Sequence, residues 1–222
     1  MSESPLKRIL LAIVRPLMAL IFPYRVVGLE NLPPAEDGRR LIVCCNHISV
    51  VDPVYLLVAQ RQPVYFMAKA KLFQNRFTAW LLGTVMGAFP VDRGKGDMGA
   101  VNHALDLVRG GKILGIFPQG TCRRTRELGQ PKSGAALIAC RTQATVVPAC
   151  LVTMDFHVRP FRRVTLAFGK PISAEELQLV DEEHPKLRYA SRTIMEHIDN
   201  LIETQLHTKN GQRRQTDAGH SC

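Results

Sequence analysis

His47 and Asp52, in the stretch "NHISVVD", are residue types that can move a proton. An imidazole titrates near neutral pH, and a carboxylate that holds one of its ring nitrogens leaves the other free as a base. Five positions apart on a continuous helix, the two side chains would lie about 140° apart and could not meet. They can meet if a strand ends at His47 and a helix begins at Asp52. The sequence fits that arrangement: "RRLIVCCNH" reads as a buried strand, and Asp52-Pro53 has the chemistry of a helix start, with Asp52 as N-cap. Two plainer readings stay open, a core histidine satisfied by backbone and an aspartate that only caps its helix.

Further cations follow, Arg93 among them at a strand end. "FMAKAKLF" carries Lys69 and Lys71, and "FPVDRG" carries Arg93. "FPQGTCRR" follows the apolar run "KILGIF" and sets Gln119, Gly120 and Thr121 in a turn before Arg123, Arg124 and Arg126. Ligands of α/β sheets collect beyond the carboxyl ends of the strands, so a base and several cations are expected to converge there. The plain alternative for each cation is a solvated surface charge, and for the arginine cluster a basic loop facing a membrane.

Several elements are needed to position these groups. "YRVV" reads as a short strand before a Pro-rich turn, and "DPVYLLVAQ" as a helix. "KLFQNRFTAWLLGTVMG" has the pattern of one helix, "AFPV" of a strand, and "DMGAVNHALDLVRGGK" of a helix closed by glycines. Strand "ILGIF", helix "KSGAALIACRTQA", strands "TVVPACLVT" and "FRRVTLAFGKPIS", and a helix capped by Ser173 follow. A terminal helix is expected over 185–207 and an unstructured basic tail over 209–222. Alternating strands and helices predict an α/β domain, a mixed sheet flanked by helices, over 24–208.

Residues 1–23 differ in kind. Leu6, Ile9, Leu10, Ile13, Leu17, Leu20 and Ile21 share one stripe of a helical wheel, with Arg8 and Arg15 opposite and Pro16 as a kink. A membrane span needs roughly 20 unbroken apolar residues, which this segment lacks. It suits a helix lying in a membrane interface, docked through Leu10, Ile13 and Leu17, on the cytoplasmic face of the cell membrane. A helix packed on the protein core is the alternative.

The net charge of +10 over 222 residues favours an anionic partner, such as a membrane surface or a phosphorylated substrate. Only 6% of residues are aromatic and no base-stacking or recognition module is visible, which argues against nucleic acid. The six cysteines form no CxxC pair, consistent with reduced thiols, and no zinc-like ligand spacing occurs.

In order and spacing, these motifs resemble those of the 1-acyl-glycerol-3-phosphate acyltransferases, within the wider glycerolipid acyltransferases. Asn46, His47 and Asp52 match the family's NHxxxxD motif. Gly87, Pro90 and Arg93 match a Gly-x-x-Pro-x-x-Arg block, and Val146-Val147-Pro148 an apolar run ending in proline. Phe117, Pro118, Gly120 and Thr121 match the block Phe-Pro-Glu-Gly-Thr-Arg, but Gln119 stands where the family has Glu and Cys122 where it has Arg. The resemblance covers roughly Tyr24 to Ile172. It implies a glycerol-3-phosphate acyltransferase-like fold and transfer of an acyl group, in phospholipid biosynthesis, from acyl-CoA or acyl-carrier protein to a lysophospholipid. It implies His47 as base, Asp52 as its orienting partner, and no metal or cofactor. Acceptor contacts would come from Asn46, Lys69, Arg93, Gln119, Gly120, Thr121, Arg123 and Arg124. Gln119 would hold a glycerol hydroxyl, and backbone N–H groups near Gly120 or at the start of a helix are candidates to stabilise the oxyanion.

The two departures keep alternatives in play. The acceptor could be another lysophospholipid, or the chain a weakly active lipid-binding relative. A thiol enzyme would use Cys122, with the nearby arginines favouring its thiolate.

Overall fold

The computed structural model describes residues 5–34, 39–60, 62–92, 97–181 and 183–218. Its strands are β1 (Tyr24–Val27), β2 (Leu41–Cys45), β3 (Val64–Lys69), β4 (Ala88–Val91), β5 (Ile113–Ile116), β6 (Thr145–Val152) and β7 (Val164–Phe168). They form one seven-stranded sheet in the order β1-β7-β6-β2-β5-β3-β4. The run from β6 to β4 is parallel. β7 is antiparallel to β6 and parallel to β1, which makes the sheet mixed, as expected. The carboxyl ends of β2, β3, β4, β5 and β6 therefore share one edge.

Helices α1 (Pro5–Ile21), α2 (Asp52–Ala59), α3 (Arg76–Trp80), α4 (Met98–Arg109), α5 (Gly134–Thr142) and α6 (Leu187–Ala218) accompany the sheet. Every residue of β2 and β7 is buried, which explains their unbroken apolar sequences: a strand covered on both faces has no polar side to alternate with. Gly28 turns the chain off β1 with φ 72°, and a Cβ there would fall 2.2 Å from the Phe168 carbonyl oxygen, so no larger residue fits.

Four expectations are corrected. "VYFMAK", not anticipated as a strand, is β3. The single helix expected over "KLFQNRFTAWLLGTVMG" is broken into a 3-10 turn (Ala70–Phe73), α3, and a π turn (Leu81–Val85). The break follows from Asn75, whose side chain accepts from the N–H groups of Phe77 (2.9 Å) and Thr78 (3.3 Å) and so starts a new helix. Ser173 and Glu176 form the reciprocal pair of a capping box, at 2.9 and 3.1 Å, but over a turn and not a helix. The terminal helix continues to Ala218, through most of the tail expected to lack structure; each added residue closes a backbone hydrogen bond once the helix exists.

α1 is apolar on two sides. Val14 and Met18 pack on the core, while Ile9, Ile13, Leu17 and Leu20 are exposed. Leu10 is half-buried between the two faces. Arg15, expected to point away with the cations, turns inward and donates to the Gln60 carbonyl at 3.0 Å. Among the described residues no helix is long and apolar enough to cross a membrane.

Candidate active site

β2 delivers His47 to the carboxyl edge of the sheet, the chain turns through Ile48–Val51, and α2 begins at Asp52. The turn does what a continuous helix could not. His47 Nδ1 lies 2.8 Å from Asp52 Oδ2, with the Asp52 side chain wholly buried and the imidazole 16% exposed. The same oxygen accepts from the N–H groups of Ile48 and Ser49, each at 2.7 Å. Asp52 thus reaches back to the turn before it. The residue preceding α2 is Val51, and no side chain caps the helix, so Asp52 is not the N-cap expected of it.

Burial raises the Asp52 carboxyl above its usual range, against the opposing pull of His47 and the Ser49 and Ile48 N–H groups. Its second oxygen is buried without a hydrogen-bond partner among the described residues, which leaves that desolvation uncompensated. An ionised Asp52 accepts only, so the Nδ1 proton must belong to His47, and the basic lone pair sits on Nε2.

The imidazole has a second constraint. The ring of Phe117 stacks on it at 4.3 Å between centroids, and Phe66 continues the stack at 6.1 Å. Sequence reasoning gave Phe117 no role beyond its motif position.

The amide side chains are spent on backbone. Asn46 takes the Leu151 N–H on Oδ1 (2.7 Å) and gives Nδ2–H to the Leu151 carbonyl (3.0 Å), extending β2's pairing with β6 by one side chain. Gln119 accepts the His47 N–H at 2.5 Å and donates to the Leu128 carbonyl at 3.0 Å. Both residues are buried, at 1% and 5% exposure, with these amide contacts directed at backbone.

A family model described as acyltransferase matches residues 23–152. The chain belongs to the acyltransferase family. It is 36% identical over 151 residues to a 1-acyl-sn-glycerol-3-phosphate acyltransferase of Bacillus subtilis, covering 67% of this chain and 73% of that protein. A protein of the same name from Streptococcus pneumoniae is 30% identical over 155 residues, covering 68% of this chain but just 56% of the relative. Among solved structures, the 1-acyl-sn-glycerophosphate acyltransferase of Thermotoga maritima superposes with a TM-score of 0.63 at 19% identity, over 88% of this chain and 81% of that one. That likeness bears on the fold.

The remaining expected contacts of the acyltransferase divide. Lys69 ends β3 in solvent, on the same sheet edge as His47. Arg93 lies outside the described residues. Thr121, Arg123 and Arg124 are exposed on the loop after β5. The Arg123 guanidinium folds back over Gly129, where a Cβ would lie 3.0 Å from Cζ. Arg126 pairs with Asp199 and, at 3.3 Å, with Glu203 on α6, and so serves the loop's attachment. A groove of about 860 Å³ opens beside this ion pair, but neither His47 nor Asp52 lines it. The Gly120 N–H donates to the Phe117 carbonyl at 2.9 Å, within its own turn, so it is already engaged and not free for an oxyanion.

Cys122 does not carry an activated thiol. Desolvation and the Asp52 charge push it up, and Arg124 only partly offsets them. Cys44, Cys45, Cys140 and Cys150 are buried and in no disulfide, and burial holds Cys44 up at about 12.

Proposed function

We propose that this acyltransferase moves a fatty acyl group from a thioester, acyl-CoA or acyl-carrier protein, to the 2-hydroxyl of 1-acyl-glycerol 3-phosphate, making phosphatidate for phospholipid synthesis. His47 takes the hydroxyl proton on Nε2 as the oxygen attacks the thioester carbonyl. Asp52 keeps the ring in the Nδ1–H tautomer and stabilises the imidazolium. The tetrahedral adduct collapses with loss of the thiolate, which takes the proton back from Nε2. The nucleophile is the substrate's own oxygen, so no acyl-enzyme forms.

The observation that carries this reading is the 2.8 Å contact between His47 and a fully buried Asp52. The names of the relatives supply the acceptor. Lys69, and Arg93 by its motif position, are assigned to the acceptor phosphate. The exposed row Ile9, Ile13, Leu17 and Leu20 of α1 is assigned to the membrane surface, at the cytoplasmic face, with the basic net charge adding attraction to anionic lipid.

A second reading, another lysophospholipid acceptor, is favoured by Gln119 being engaged with backbone. An acceptor panel decides: lysophosphatidate, other lysophospholipids and glycerol 3-phosphate, each with long-chain acyl-CoA or acyl-carrier protein, and His47→Ala as control. Lysophosphatidate is expected to be the best acceptor, with transfer lost in the control. Failure with every acceptor and both donors would leave the lipid-binding alternative standing.

A further inference from the structure

Both peptide groups flanking the His47 α-carbon are tied to one loop. The His47 N–H donates to Gln119 Oε1 at 2.5 Å, and the His47 carbonyl accepts the Arg123 N–H at 2.7 Å. Gln119 also spans its own loop, through Nε2–H to the Leu128 carbonyl at 3.0 Å. Leu128 packs against the core, so the far end of this connection is anchored. His47 is therefore fixed by Asp52 at Nδ1, by Phe117 on its ring face, and by Gln119 and Arg123 through its backbone.

We propose that Gln119 is a positioning residue for His47, a neutral two-way strap between the end of β2 and the far side of the loop after β5, and not a ligand of the acceptor. This rests on His47 being the base. The neutral amide matters because the two contacts have opposite polarity. One needs an acceptor and the other a donor; a carboxamide supplies both, whereas an ionised carboxylate supplies acceptors alone. A carboxylate would keep the His47 contact but set lone pairs against the Leu128 carbonyl. It would also bring a second negative charge, nearly buried, against the His47 backbone N–H. The charged and titratable groups on the elements around His47 are Asp52 at the start of α2 and, on the loop after β5, Arg123, whose N–H the His47 carbonyl accepts, and Cys122, which feels the charges of Asp52 and Arg124. An added charge would stabilise the imidazolium and reserve the free base for higher pH.

The test compares wild type with Gln119→Glu and Gln119→Met, using long-chain acyl-CoA and lysophosphatidate in detergent micelles. Gln119→Met, which removes both contacts, is expected to lower kcat by about 10–100-fold, the worth of one or two hydrogen bonds, with acceptor KM nearly unchanged. Gln119→Glu is expected to move the acid limb of the rate profile to higher pH, a displacement that loosened packing alone would not produce. Histidine side-chain NMR reads the same effect without turnover: the His47 resonance, identified by its loss in His47→Ala, is expected to titrate at higher pH in Gln119→Glu than in wild type. An unmoved titration in a folded Gln119→Glu protein overturns the proposal. So does a Gln119→Met loss that falls wholly on acceptor KM, which would return Gln119 to substrate binding. If wild type transfers to no acceptor, the proposed reaction fails while the NMR titration still judges the strap.

Discussion

Asp52 is sealed from solvent and one of its oxygens is held by three donors, whereas Lys69 and Arg124 stand in solvent and α1 exposes Ile9, Ile13, Leu17 and Leu20. The dyad and its approaches thus follow opposite rules. A proton transfer gains from a base held in one orientation before substrate arrives, because the ordering is then complete at the moment of reaction. Groups proposed to capture a lipid from a surface would have to be reachable, and Lys69, Arg124 and the α1 row are exposed. Mutations in the two regions should differ accordingly: kcat on the pinned side, partitioning and KM on the open side.

The largest effect is expected from Asp52→Asn, by about 10²–10⁴-fold in kcat, as the amide permits the wrong imidazole tautomer. Stability should move the other way. The folded carboxyl is raised above its unfolded value, so its contribution is fully present below about pH 4, the unfolded range, and is lost as pH rises through the raised folded value. At neutral pH the wild type carries the cost of a buried charge. Asp52→Asn is therefore expected to melt at the same temperature or higher, measured by calorimetry at pH 7; a large drop would mean the carboxylate holds the turn together more than burial opposes it.

On the open side, Ile13→Ser with Leu17→Ser should weaken binding to anionic vesicles by about tenfold or more, from the lost burial of two aliphatic side chains. Turnover on micellar substrate should change little; vesicle sedimentation and a micelle assay separate the two. Lys69→Ala comes next, with acceptor KM up by about tenfold at unchanged kcat, the expected loss for one exposed charge on phosphate. A fall in kcat alone would place Lys69 with the dyad. The smallest effect is Arg126→Ala. Its pairs with Asp199 and Glu203 are partly exposed, so chemical denaturation should register less than about 1 kcal/mol.

The sequence revealed the regions where one physical cause dominates. β2, β5, β6 and β7 are apolar runs between turn residues, and the five-residue spacing of His47 and Asp52 needed only a strand end and a turn to become a contact. β3 was harder because "VYFMAK" alternates in burial and flows into lysines. The segment after it looked uniformly helical, and only the local bonding of Asn75 divides it. Within the site, amides proved least legible. Asn46 and Gln119 can serve substrate or backbone equally well by chemistry, and their partners, Leu151 and His47, lie 105 and 72 residues away. Arg126 looked like its neighbours in a basic run until α6, 73 residues on, supplied its carboxylate. In α1 a broad apolar stripe fitted both a core-packed and a lipid-facing helix, and the fold exposes one face while burying the other.

α1 leads directly into β1 at one border of the sheet, where Phe161 and Val164 donate to the carbonyls of Ile21 and Pro23. Along its length it is held by the bond from Arg15 to Gln60, and it also touches the π turn that feeds β4 at the opposite border. The helix is a crossbar that touches the structure near both margins of the sheet. If the exposed row of α1 meets lipid as proposed, this bracing would tie the tilt of the body, and with it the height of the imidazole above the headgroups, to the fold itself.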